Sequence, residues 1–355
     1  MKRAFRSKTY NHTFDMKTGE FAYWGETLDK NPAFCPFGPT ILDIEISAGK
    51  CKGNCKFCYK SNGLHNTEII NMGLDTFKEI LARMDLRVLT QIAFGLCDVS
   101  TNPDMWDIFE YCRSKNIIPN YTCNGLDVTD EVVEKTARLC GAVAVSLVNK
   151  EKSYDTIYKF TSAGMTQVNI HFMLAEETYE KAFEILDDIK TDPRLAKMNA
   201  IVFLQYKPKG KGVGFFHPIS RQEKYSKLVE YATENKIRLG FDSCSAPLYL
   251  KHIENDKAFT EKSSVVEACE SCLHSGYINC QGIFFPCSFS EEVPGWETGI
   301  NVLAEKTFTE NVWYHPRVIS WRENLLASSS NCDCKCKEEC RSCPVYPEVT
   351  SCKGG

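Results

Sequence analysis

The chain has 355 residues, 43% of them hydrophobic and 25% charged, with a formal net charge of -4. That composition excludes wholesale disorder, and the charge gives no drive toward sequence-independent nucleic-acid binding. The basic N-terminus has no apolar run behind it, and no stretch approaches the roughly 20 apolar residues of a bilayer span, so a cytoplasmic chain is expected.

Residues 1–39 read as a short lead-in. Asp15-Met16-Lys17-Thr18-Gly19-Glu20 is a turn between two aromatic-bearing arms, which predicts a hairpin over 13–24. From Thr40 the pattern alternates strand and helix. In the first strand, 41–47, Leu42, Ile44 and Ile46 share one face while Asp43 and Glu45 share the other. Further strands are predicted at 89–96, 118–122, 142–148, 167–174 and 200–206. Helices are predicted at 74–84, 102–115, 129–139, 154–163, 177–189 and 221–235, with Thr129 as a cap. A last strand, 237–242, ends at Cys244. Repeated βα units imply a parallel sheet wrapped by helices, and six units are too few for a closed eight-stranded barrel. The expected fold is therefore α/β, a partial (β/α)6 TIM barrel over 40–243. A small cysteine-rich extension over 244–355 follows, in which short apolar pieces and turns replace the alternation.

Nineteen cysteines need a reason. Eight lie between Cys35 and Cys140, none in 141–243, and eleven from Cys244 onward. An odd count without an export signal argues against a disulfide framework, so clustered thiolates read as metal ligands. Cys51, Cys55 and Cys58 sit at x3 and x2 spacing just after the first strand, where barrel folds place their sites. Three thiolates on a [4Fe-4S] cube leave one iron open. A structural zinc normally takes four ligands, and no fourth Cys or His follows before His65. The lone Cys35, Cys97, Cys112, Cys123 and Cys140 read as small buried residues.

That loop, with Phe57 before its third cysteine and Tyr59 after it, resembles the signature of the radical S-adenosylmethionine (SAM) superfamily. The resemblance spans residues 40–243 and implies that SAM chelates the open iron and is cleaved to a 5′-deoxyadenosyl radical. It further implies cofactor contacts from Phe57 and Tyr59, and from Gly95 and Asp98 in a degenerate version of the family's Gly-Gly-Glu. Asn124, Ser146, and Ile170 with Phe172 along the adenine complete the implied set. The plain alternatives are a turn role for Asp98 and strand packing for Ile170 and Phe172. Tyr206-Lys207-Pro208-Lys209-Gly210-Lys211-Gly212 resembles the family's proline-glycine loop, its lysines read as a solvated rim.

Cys269 and Cys272, then Gly282-Ile283-Phe284-Phe285-Pro286-Cys287, resemble the opening of SPASM and twitch extensions, which implies an auxiliary [4Fe-4S] cluster. Cys269, Cys287, Cys343 and either Cys244 or Cys272 are its expected ligands. The tail order, Cys336-x3-Cys340-x2-Cys343 and then Cys352, departs from the SPASM pattern. A second cluster drawing on tail cysteines such as Cys340, or a zinc knuckle, stays open. Asp242 is a candidate general base, and Cys244 a candidate ligand or hydrogen-atom donor. The resemblance implies a peptide or protein substrate and an electron donor such as flavodoxin or ferredoxin. Small-molecule or nucleoside chemistry, and a non-catalytic iron-sulfur electron carrier, are the competing readings.

Overall fold

The computed structural model describes residues 1–27, 30–60, 68–219, 221–330 and 332–350. His65 and Cys352 lie outside the described residues. The lead-in forms an antiparallel sheet of three strands, β1 (Lys2–Phe5), β2 (Asn11–Asp15) and β3 (Phe21–Trp24). Its β2–β3 arms are the expected hairpin, turning at Gly19 with φ +79°. Arg3 fastens this sheet to the barrel, donating to the carbonyls of Leu86, Leu89 and Asn116 at the N-terminal edge of the parallel strands.

The alternation follows as β4 (Ile41–Glu45), a short pair β5 (Ser47–Ala48) and β6 (Ile70–Asn71), and α1 (Leu74–Ala82). Then come β7 (Gln91–Gly95), α2 (Met105–Ser114), β8 (Ile118–Cys123), α3 (Asp130–Leu139), β9 (Val143–Ser146) and α4 (Lys150–Ser162). The series ends with β10 (Val168–Leu174), α5 (Tyr179–Thr191), β11 (Ala200–Gln205), α6 (Gln222–Glu234) and β12 (Leu239–Phe241). Thr129 caps α3 by accepting from the Val132 amide, as its position predicts. The helix predicted from 154 begins earlier, because Asn149 caps Lys152 and sets the first turn of α4.

The extension contributes α7 (Ala246–Ile253), α8 (Phe259–Ser263), β13 (Ser275–Ile278), β14 (Ile283–Phe285), β15 (Ile300–Asn301) and α9 (Pro316–Ala327). One ten-stranded sheet runs β12-β11-β10-β9-β8-β7-β4-β13-β14-β15. Every pairing from β12 to β13 is parallel, and β13-β14-β15 is antiparallel. The two end strands do not pair with each other, so the barrel is partial and open. The extension is thus built onto the barrel's first strand, with Ser275–Ile278 in register with Ile41–Ile44.

Period-two alternation sorts each parallel strand between core and interior. On β10, Val168, Ile170, Phe172 and Leu174 belong to the buried core, while Asn169, His171 and Met173 line a central cavity. No helix among the described residues is long and apolar enough to cross a membrane.

Candidate active site

The C-terminal ends of the parallel strands open into one cavity of about 1210 Å³. Cys51, Cys55 and Cys58 all line it, together with Phe57 and Tyr59. The loop is wound tightly: Asn54 takes a left-handed φ of +39°, and the Cys58 amide donates to the Cys55 carbonyl at 3.3 Å. A Cβ on Gly53 would sit 3.5 Å from Cys51 Sγ and 3.6 Å from Cys55 Sγ, so its bare backbone lies between two sulfurs. Burial, joined by the neighbouring Cys58 and Cys51 sulfurs, pushes the Cys55 thiol up to about 11. Thiols in that state must lose protons to bind metal, and clustered iron supplies the positive charge that makes the loss favourable. Three thiols on one tight loop, all lining the cavity, fit a cluster of several irons.

Asp98 holds this loop in place. It is buried, accepts from the Lys52 amide at 2.9 Å and from Asn124 Nδ2 at 2.5 Å, and approaches Cys51 Sγ at 3.7 Å. Asn124 Nδ2 also reaches Cys51 Sγ at 3.6 Å. Asp98 does not line the cavity, whereas Gly95, Asn124 and Ser146 do. At Gly95 an added Cβ would stand 3.4 Å from the Glu45 Cα, so glycine keeps the two strands in close register. Phe57 stacks on Phe216 at 5.6 Å and Tyr59 on Phe289 at 4.5 Å, which fixes both aromatics in the cavity wall.

Ile170 corrects the sequence expectation. It is fully buried in the core and does not reach the cavity, because the period of β10 turns it toward the helices. Phe172 shares that face and meets Phe203 edge-on at 5.9 Å, although it also borders the cavity. His171, between them, is the side chain the strand presents to the interior. Its pKa is lowered to about 4 by burial, against an opposing pull from Asp242, so the imidazole is neutral at pH 7.

Of the three lysines in the Tyr206–Gly212 loop, Lys211 fits a solvated rim, donating to Asn54 Oδ1 at 3.2 Å in an exposed contact, whereas Lys207 and Lys209 do not. Lys207, its side chain 2% exposed, pairs with Asp242 at 2.9 Å, donates to the Gln205 carbonyl and lies 4.6 Å above the Phe289 ring. Lys209 donates to the carbonyls of Ser288, Phe289 and Glu291. Both are recruited because the extension folds over them, which no local pattern reports. A further buried network joins the cysteine loop to the extension: Lys60 pairs with Glu291 at 2.8 Å and Glu45 at 3.4 Å. It also contacts Tyr277, whose hydroxyl donates to Glu45 at 3.1 Å.

Behind the Lys207 wall, five more thiols converge. Burial raises the Cys244 thiol, with Cys269 and Cys343 adding to the effect and Lys207 opposing it. Burial likewise pushes Cys287 up to about 12, again with Cys269 and Cys343 beside it. Cys272 is fully buried near Cys287 and Cys269, and its carbonyl accepts from Arg322 at 2.7 Å. Cys340 packs instead with Cys336, Leu250, Ile253 and Phe259 in a separate small core. Among the described residues no three Cys, His, Asp or Glu side chains are grouped as ligands of a single ion. Thiols that each hold a different iron of a cube stand further apart than that.

No family model matches the sequence, and no curated protein matches it. The fold does match solved structures. Streptococcus suis SuiB bound to S-adenosylmethionine superposes with a TM-score of 0.66 at 16% identity, over 89% of this chain and 77% of SuiB. SuiB bound to the precursor peptide SuiA gives 0.65 at 16%, over 91% and 72%. Native anSMEcpe with bound AdoMet and Cp18Cys peptide gives 0.59 at 14%, over 83% and 87%. The chain has the radical SAM fold.

Proposed function

We propose that the chain is a radical SAM enzyme that modifies a peptide or protein. The observation that carries this reading is the Cys51-Cys55-Cys58 loop lining a large cavity at the strand C-termini of a radical SAM fold. SuiB with its precursor peptide and anSMEcpe with its Cp18Cys peptide share that fold and support a peptide substrate. Cys51, Cys55 and Cys58 would hold a [4Fe-4S] cluster with one iron left for SAM. A cluster and SAM bound there would supply one-electron reductive chemistry for taking a hydrogen atom from the substrate.

The protein's own part is to orient and enclose. Asp98 and Asn124 fix the cysteine loop, and Gly95 and Ser146 offer room and a hydroxyl to the cofactor. Phe57 and Tyr59 supply aromatic wall to the cavity. Asp242, paired with Lys207, faces the cavity and can take a proton from a substrate. We assign an auxiliary [4Fe-4S] cluster to Cys244, Cys269, Cys287 and Cys343, choosing Cys244 over Cys272 because it neighbours both Cys269 and Cys343. An electron donor such as flavodoxin or ferredoxin completes the system.

Changing Cys51, Cys55 and Cys58 together to Ala should remove about four irons per chain and abolish 5′-deoxyadenosine formation. Iron analysis of that variant should still find about four irons, on the auxiliary cysteines. Undiminished SAM cleavage in the triple variant overturns the enzyme reading, and zinc in place of the residual iron overturns the auxiliary cluster. Cys244→Ser separates the roles of that thiol. Loss or distortion of the auxiliary spectrum marks a ligand, whereas intact clusters with an unquenched substrate radical mark a hydrogen-atom donor.

A further inference from the structure

The cavity extends beyond the cysteine loop into the barrel. In a closed barrel, bulky side chains fill the interior in layers. Here Ala93, Gly95, Ala142 and Ala144 line it, and the space they leave is part of the same cavity. Asp43 lies on β4 one pleat deeper than Glu45, on the same face, in register with Ala93 on one side and Tyr277 on the other.

Three carboxylates line the cavity: Asp43, Glu45 and Asp242. Glu45 is matched by Lys60 and the Tyr277 hydroxyl. Asp242 is matched by Lys207 and by the Ser245 hydroxyl at 2.7 Å. Among the described residues, no ion pair or hydrogen bond engages the Asp43 carboxylate, which is exposed to the cavity. The carboxylate stands open in the cavity with no cation against it, and desolvation by the surrounding walls raises Asp43 to about 6. Tyr59, close enough to Asp43 to feel its charge, adds an aromatic wall suited to an aliphatic stem.

We propose that Asp43 anchors a cationic group of the substrate, a protonated amine or a guanidinium, deep in the cavity. The inference rests on the enzymatic reading above and names part of its substrate. A neutral hydroxyl or amide could donate to Asp43 but would leave its charge uncompensated. A lysine- or arginine-like chain supplies both the apolar stem for the small-residue passage and the charge at its end.

The test uses the reconstituted protein with SAM and three probes: Nα-acetyl-lysine amide, Nα-acetyl-arginine amide and the neutral isostere Nα-acetyl-norleucine amide. Isothermal titration should show a cationic probe binding the parent about tenfold or more tighter than the norleucine probe. Asp43→Asn, which keeps shape and removes charge, should erase that preference. Equal affinity of all three probes for the parent overturns the proposal without reliance on any variant. Retention of the preference by Asp43→Asn overturns it as well. Because binding is read directly, parent SAM cleavage measured separately reports on the enzymatic reading independently of this subsite.

Discussion

At the scale of single residues, Asp98 shows how a polar side chain outside the cavity can govern what lines it. Its carboxylate serves the Lys52 amide and the Asn124 amide at once, and both donors flank Cys51. Asp98→Ala leaves the Lys52 amide without its acceptor and Asn124 with the Cys51 sulfur alone, at a cost of about 1–3 kcal/mol. The expected outcome is a lower denaturation midpoint and faster loss of iron from the reconstituted protein to a chelator. A variant that matches the parent in both measurements contradicts the bracing role. The cysteine loop itself was legible in the sequence because its three cysteines, at 51, 55 and 58, share one loop whatever the fold around them. Ile170 was misplaced and His171 overlooked for one reason. Both lie on the same strand, and apolar character suggested the adenine contact where only strand parity decides which face is interior. Asp43 and Glu45 were correctly separated from Leu42 and Ile44 by alternation, but nothing local says that one carboxylate finds a cation and the other does not.

At the scale of elements, the βα series was legible because each unit carries its own periodicity and most of its caps. The extension was not. The helix α9 was missed although Val318, Trp321, Arg322 and Leu325 are buried at helical spacing, with His315 accepting from Arg317 at its start. Cysteine density drew attention to ligands and away from that stripe. The placement of β13 beside β4 could not be read at all, since the partners are more than two hundred residues apart and pair through backbone groups. What fastens the join is the buried Lys60-Glu45-Glu291 set, one cation between two carboxylates, with the Lys60 side chain 11% exposed. Lys60→Met should destabilise by about 3 kcal/mol, because removing one partner strands buried charge. Adding Glu45→Gln and Glu291→Gln should recover part of that loss in the denaturant midpoint. If the triple variant is no more stable than Lys60→Met, stranded charge is not the cause.

At the scale of the whole molecule, the lead-in sheet lies against the opposite edge of the barrel from the cysteine loop. Its attachment carries a titratable weakness. His12 is fully buried on β2 between Phe5, Tyr10 and Phe21, and both its ring nitrogens lack partners among the described residues. Burial, joined by the Arg3 and Arg6 guanidinium groups, lowers its pKa to about 4. The folded chain therefore keeps His12 neutral at pH values where the unfolded chain, near the ordinary 6.5, already binds a proton. Its contribution to stability is complete above about pH 6.5. Below that it falls by up to about 1.4 kcal/mol per pH unit until the folded chain also takes up the proton near pH 4. His12→Phe fills the same aromatic slot without buried unpaired nitrogens, so it should raise stability modestly at pH 7. It should also flatten the decline between pH 6.5 and 4 by one proton's worth. Chemical denaturation across that range measures the slope directly. An unchanged slope in the variant assigns the acid sensitivity elsewhere and removes His12 as its source.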